Sequence, residues 1–205
     1  MREISPQMSA VEKCIASERD INQYMDKLNF TNKELDKWKV IVDLGSGTEQ
    51  EFAKGIKNKG LNNIVISIDA RLALPKEIDL KSFFPEEVPA RLRGRENSEE
   101  GTIAALAQDL PLKKSSIDVF LALHSIPQYI KDSGEVNRVL LNMLGCLKEG
   151  GEIRIYPIHK TINLAPIQKF LDENENILNY KFILKEKIEG EEKYLLIIKK
   201  TKEKE

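Results

Sequence analysis

Between Val40 and Leu44 the chain reads Val-Ile-Val-Asp-Leu and then meets Gly45-Ser46-Gly47. An apolar run this short, stopped by two glycines, is a buried strand entering a tight turn. Helical spacing follows from Glu49 to Lys59, with Phe52, Ala53 and Ile56 on one face and Gly60 as the stop. The same alternation continues. Asn63–Asp69 reads as a second strand, Thr102–Gln108 as a weaker third and Ile117–Leu123 as a fourth. Val136, Val139, Leu140, Met143, Leu144 and Leu147 recur at helical spacing, with Ser133 as the expected N-cap and Gly150-Gly151 as the expected end. A fifth strand, Glu152–Tyr156, and a helix over Ala165–Leu178 come next. Phe182-Ile183-Leu184 and Tyr194–Ile198 flank Glu189-Gly190-Glu191, the pattern of a hairpin. Strands alternating with helices predict an α/β, doubly wound, mostly parallel sheet that closes with an antiparallel hairpin.

The segment before this pattern is different. Val11, Ile15 and Ile21 are spaced apolar positions among charged residues, and Thr31-Asn32-Lys33-Glu34 has the form of a capping box ahead of Leu35 and Trp38. Residues 1–38 therefore read as a helical appendage that packs on, or partly lids, an α/β domain over residues 39–200. The lysine-rich end from Lys199, and residues 201–205 above all, is expected to fray.

With 205 residues, 41% of them hydrophobic and 32% charged, the chain is globular rather than disordered, and its net charge of −1 gives no global pull toward nucleic acid or an anionic membrane. No apolar run is long enough to span a bilayer, and the first residues are charged rather than signal-like, so a cytoplasmic location is expected. Cys14 and Cys146 stand far apart and outside any metal-ligand spacing, which makes them spectator thiols rather than zinc ligands.

Open α/β sheets bind ligands at the carboxyl ends of their strands, near the switch in strand order. Here that edge carries Gly45 to Thr48, Asp69, Asp109 and the residues after Leu123. A glycine turn followed by an acid ending the second strand also occurs in dinucleotide-binding folds. Their fingerprint needs a third glycine where this chain has Gln50. Glu49 and Glu51 at the helix start would repel a pyrophosphate, so a nicotinamide-dependent oxidoreductase is disfavoured. A ligand carrying a sulfonium and an ammonium has no such conflict.

Val40 to Gly47, Asp69, Gln108-Asp109-Leu110-Pro111, Asp118-Val119-Phe120 and Leu147-Lys148-Glu149-Gly150-Gly151 together resemble the successive motifs of class I S-adenosylmethionine-dependent methyltransferases, in particular the small-molecule, methyltransferase-11-like branch. The resemblance runs over roughly residues 39 to 200 with order and spacing kept. It implies a Rossmann-like sheet of seven strands, S-adenosylmethionine as cofactor and a small-molecule acceptor. It implies that Asp43 and the Gly45-Ser46-Gly47 turn face the methionine part of the cofactor, and that Asp69, with Ala70 beside it, holds the ribose hydroxyls. By the same resemblance Asp109 accepts from the adenine amino group, the Leu110 backbone meets the ring edge, and Leu123, His124 and Ser125 sit near the sulfonium and acceptor.

The sequence departs from the family pattern in three places. Glu49 stands where many members have glycine, which keeps a second reading open: a binding or interaction module of this fold without turnover. The interval from Asp69 to the third strand is long and contains Pro75, Pro85 and Pro89. After strand four, Ser125-Ile126-Pro127-Gln128-Tyr129 only faintly echoes the motif of DNA base methylases, which disfavours a nucleic-acid substrate. His124 is the catalytic candidate, because an imidazole transfers protons near neutrality; a histidine that merely lines the pocket fits the residues as well. His159, Tyr129 and Tyr156 are weaker pocket candidates. Arg91, Arg93 and Arg95 read as a mixed-charge loop, and residues 71–100 with the N-terminal helices are the expected acceptor pocket and lid.

Overall fold

The computed structural model of the protein describes residues 19–47, 50–69, 101–103, 107–128, 132–188 and 190–201. In chain order the elements are α1 (Ile21–Lys27), α2 (Asn32–Leu35), β1 (Val40–Leu44), α3 (Glu51–Asn58), β2 (Ile64–Ile68), β3 (Thr102–Ile103), β4 (Ile117–Leu123), α4 (Ser133–Cys146), β5 (Leu147–His159), α5 (Leu164–Glu173), β6 (Leu178–Ile188) and β7 (Glu191–Lys200). The strands form one sheet of seven in the order β3-β2-β1-β4-β5-β7-β6. From β3 to β5 the pairings are parallel, while β7 runs antiparallel to both β5 and β6. The order of strands reverses between β1 and β4, which is where such a sheet opens a crevice for ligands.

Because side chains alternate along a strand, each central strand feeds two cores. Val42 and Leu44, Phe120 and Ala122, and Ile153 and Ile155 face α4 and α5, against Val139, Leu140, Met143, Ile167 and Phe170. Ile41, Val119, Leu121 and Leu123 face the other way, against Tyr24, Leu35, Trp38, Phe52 and Ile56. The N-terminal helices thus supply one face of the core.

A buried cation holds them there. Arg154 on β5 donates to the carbonyls of Leu28 and Asn29 at 3.1 and 2.6 Å. Its other amino group pairs with Glu34 at 2.6 Å and Glu152 at 2.7 Å. The guanidinium lies 5.1 Å from the centre of the Trp38 ring. Charge-assisted bonds to helix-end carbonyls satisfy groups that α1 cannot satisfy internally.

Several expected boundaries move. The capping box is present, with Glu34 reaching back to the Thr31 amide at 3.0 Å. On α4, however, the N-cap is Asp132, which accepts from the Glu135 amide at 3.0 Å, rather than Ser133. The same helix stops at Cys146, short of Gly150-Gly151. The amides of Ser115 and Ser116 bond the carbonyls of Gly145 and Cys146, and Leu147 already pairs with Ile117, so β5 begins there. On α3 the first helical residue is Glu51 rather than Glu49, because Gln50 takes a left-handed conformation (φ 52°). Strand β3 ends at Ile103, with Ala107 and Gln108 in a turn; residues 104–106 lie outside the described residues. The helix expected over Ala165–Leu178 ends at Glu173, because Asn174 folds its amide back onto the Phe170 carbonyl. Lys199 and Lys200 do not fray: both are paired in β7, and the Lys200 ammonium holds the carbonyls of Leu144 and Leu147. Among the described residues no helix is long and apolar enough to cross a membrane.

Candidate active site

The turn after β1 is built by the backbone. Gly45 and Gly47 both have positive φ, 76° and 74°, a region open to glycine at no steric cost. The amides of Gly45 and Ser46 donate to the Ile68 carbonyl at the end of β2. A Cβ on Gly45 would stand 2.2 Å from the Ser125 Cβ, and the Ser125 hydroxyl donates to the Leu44 carbonyl at 2.6 Å. Close approach of the β1 and β4 exits is therefore what requires glycine at position 45.

Asp69 follows β2 and is nearly buried. One of its carboxylate oxygens accepts the Gly47 amide at 3.0 Å. This bond draws the glycine turn and the acid that follows β2 to one place. Asp109 is exposed in a bend after the Ala107–Gln108 turn, and the Asn142 side chain fixes that turn by donating to the Gln108 carbonyl at 2.6 Å. Leu110 packs its side chain against the α4 core. Ala70, Thr48, Glu49, Tyr129, Cys14 and residues 71–100, including Arg91, Arg93 and Arg95, lie outside the described residues.

Asp43 is fully buried on the face covered by α1. The Tyr24 hydroxyl reaches both of its oxygens, at 2.9 and 3.1 Å. Burial raises the Asp43 pKa from 3.8 to about 7, against the lowering influence of the Tyr24 hydrogen bond and the Arg19 charge. Burial, and after it the Asp43 charge, likewise pushes the Tyr24 hydroxyl well above its ordinary value.

Arg19 completes the cluster. It is itself buried, and its guanidinium donates to the Leu123 carbonyl, the last of β4. Neither Arg19 nor Tyr24 was marked by the sequence. Tyr24 carries a faint signal, since Ile21, Tyr24 and Leu28 make an apolar stripe. Arg19 carries none, because its partner is 104 residues away.

His124, immediately after β4, also takes a left-handed conformation, with φ 53°. For a non-glycine residue this is strain of the kind that collects at functional sites. Its amide donates to the Tyr156 carbonyl at 2.7 Å, and its ring stands edge-on to Tyr156 with centroids 5.6 Å apart. Burial, then the charges of Arg19 and Lys193, lower its pKa from 6.5 to about 4. The imidazole is thus neutral at physiological pH and offers a hydrogen-bond acceptor rather than a charge. A groove of about 400 Å³ opens beside it, walled on one side by the Arg19–Lys27 segment, which brings the carboxylates of Asp20 and Asp26 as well as the cations of Arg19 and Lys27, and on the other by Leu123 and His124. His159 is engaged elsewhere, 3.4 Å from Gln128 and 3.4 Å from Glu191.

A seven-stranded sheet in this order, with a glycine turn after β1 and an acid ending β2, is the class I S-adenosylmethionine-dependent methyltransferase fold. Solved structures agree. The plantazolicin methyltransferase BpumL, solved with S-adenosylhomocysteine, superposes with a TM-score of 0.59 over 97% of this chain and 91% of its own, at 12% identity. A SAM-dependent methyltransferase from Methanosarcina mazei gives 0.53 over 79% of this chain and 92% of its own, at 14% identity. The [4+2]-cyclase SpnF gives 0.54 over 88% and 79%, at 12% identity. At such identities the likeness establishes the fold alone. No protein-family model and no curated protein sequence matches the chain.

Proposed function

We propose that the protein binds S-adenosylmethionine and transfers its methyl group to a small-molecule acceptor. The observation that carries this reading is the Gly47 amide on the Asp69 carboxylate at 3.0 Å, at the carboxyl ends of β1 and β2 and beside the switch point between β1 and β4. The residues fit such a ligand. Asp69 is a fixed carboxylate able to accept from ribose hydroxyls, and the Gly45-Ser46-Gly47 backbone admits close approach of a ligand to the turn. Asp109 is exposed and open to an adenine amino group, with the Leu110 backbone for the ring edge. Ala70, next in the sequence, is assigned with Asp69 to the ribose.

When bound, the cofactor would supply an electrophilic methyl group on sulfur for transfer to the acceptor's nucleophilic atom, with the thioether as leaving group. The protein's part is alignment and exclusion of water. Leu123 and His124 wall the reacting end, and the neutral His124 ring accepts a hydrogen bond from a protonated acceptor. A general base is needed only where the acceptor carries a proton at working pH.

A second reading, a binding module without turnover, is supported by the filling of the Asp43 end by Tyr24 and Arg19. The two readings separate in a methyl-transfer assay across small-molecule acceptors, run with wild type and Asp69→Ala. Methylation by wild type, with cofactor binding in the variant weakened by about 1.5–3 kcal/mol per lost charge-assisted bond, supports the enzyme. Cofactor binding without transfer to any acceptor supports the module, and unchanged affinity in a folded variant refutes the ribose assignment.

A further inference from the structure

Strands β5, β7 and β6 carry a charged cluster outside the cofactor contacts. Strand β6 shifts register against β7 between Leu184 and Glu186, an irregularity of the kind that re-aims side chains. Both residues at the shift engage the C-terminal end of α1. The Lys185 ammonium donates to the Asp26 carbonyl at 2.7 Å, and one oxygen of Glu186 takes the Lys27 ammonium at 2.6 Å. Its other oxygen takes Lys193 of β7 at 3.1 Å. Tyr156 of β5 is fully buried, and its hydroxyl lies against the same carboxylate without closing a well-formed hydrogen bond among the described residues. The Lys27 hydrogen bond first, and then the Tyr156 hydroxyl, bring the Glu186 pKa from 4.5 down to about 2, so the carboxylate stays charged.

The same groups surround His124. Its amide donates to the Tyr156 carbonyl, its ring meets the Tyr156 ring at 86°, and the Lys27 ammonium lies 5.6 Å from the centre of that tyrosine ring. The charged groups at the imidazole are Arg19, Asp20, Asp26 and Lys27 from the α1 segment, Glu186 from β6 and Lys193 from β7. A side chain at a strand exit takes its orientation from what packs on it. For His124 that is Tyr156, and the seat of Tyr156 is set in turn by Lys27 and Glu186.

We propose that Glu186 is a positioning residue for His124: from the irregularity in β6 it gathers Lys27, Lys193 and the Tyr156 hydroxyl, and so fixes the ring that walls the acceptor end of the groove. The inference rests on the methyl-transfer reading above for the role of His124. It adds that the acceptor end is organised from the far edge of the sheet, by a carboxylate that touches neither cofactor nor acceptor. It also assigns Glu186 an electrostatic part, as the negative charge that offsets Lys27 and Lys193 at the imidazole.

The test follows the His124 ring protons of the full chain by NMR through a pH titration, and measures S-adenosylhomocysteine affinity by calorimetry. Glu186→Gln keeps the shape and one acceptor oxygen but removes the charge. In this variant the His124 ring signals at neutral pH are expected to move, because the Tyr156 ring beside them is re-seated, and the titration midpoint to fall below that of wild type. S-adenosylhomocysteine affinity stays within about twofold of wild type. Lys27→Met, which removes a cation from the same group, moves the midpoint upward and serves as the second variant should Glu186→Gln fail to fold. An unchanged ring signal and midpoint in folded Glu186→Gln would overturn the proposal, and so would an unchanged midpoint in Lys27→Met. A loss of S-adenosylhomocysteine affinity on the order of tenfold in Glu186→Gln would also overturn it, by making Glu186 a support of the cofactor. Failure of wild type to bind S-adenosylhomocysteine would refute the adenosyl reading and the role of His124 with it, whereas a failed titration in a protein that binds it would refute the proposal alone.

Discussion

Asp43 gives the fold a pH dependence that can be worked from the structure. The carboxyl is fully buried and its pKa is raised from 3.8 to about 7. The folded state therefore keeps a proton that the unfolded chain releases above pH 3.8. Stability from this group is complete below that value, falls as pH rises toward about 7, and is flat beyond. At about 1.36 kcal/mol per pH unit, the interval corresponds to a loss on the order of 4 kcal/mol. Asp43→Asn keeps the shape and an acceptor for the Tyr24 hydroxyl but cannot ionise. Urea denaturation of both proteins from pH 4 to pH 8 gives the difference curve. His124 loses stability in the opposite direction, as pH falls from 6.5 toward about 4, but it is present in both proteins and largely cancels. The variant should gain on wild type steadily up to about pH 7 and then hold its lead. Parallel curves would mean that Asp43 titrates near its ordinary value, and that the Tyr24 hydroxyl and Arg19 outweigh its burial.

The remaining expectations concern single residues. The His124 ring, followed by NMR, should titrate with a midpoint near 4 and be flat through pH 6.5; a midpoint near 6.5 would contradict the burial and positive charge assigned to it. Gly45→Ala should lower stability by at least about 2 kcal/mol, since the new methyl meets the Ser125 Cβ at 2.2 Å on a backbone with φ 76°; an unchanged melting temperature would contradict that packing. Arg154→Met should cost about 3 kcal/mol in denaturant, because it strips partners from Glu34, Glu152 and the carbonyls of Leu28 and Asn29. A loss under about 1 kcal/mol would show that the clamp adds little to burial of the Trp38 face.

The central sheet was legible because its signals are local. Short apolar runs mark β1, β2 and β4, the first ended by glycine and the second by an acid, and the helical recurrence of Val136, Val139, Leu140 and Met143 marks α4. Boundaries were less legible where a distant strand decides them: Leu147 is extended because Ile117 is there to pair with it. Asp69 could be placed beside the glycine turn because both close neighbouring parallel strands. The Arg19–Tyr24–Asp43 cluster could not be placed. A charged, periodic stretch looks the same whether its arginine meets water or a strand-end carbonyl, and only the packing of α1 on β1 and β4 distinguishes them.

The most direct test of the account is a calorimetric titration of the purified protein with S-adenosylmethionine and S-adenosylhomocysteine, with NAD as control. The account predicts saturable one-to-one binding of both adenosyl ligands, on the order of micromolar, and none of NAD. Binding of NAD, or of no ligand at all, would contradict it and leave the fold without the cofactor chemistry proposed for it.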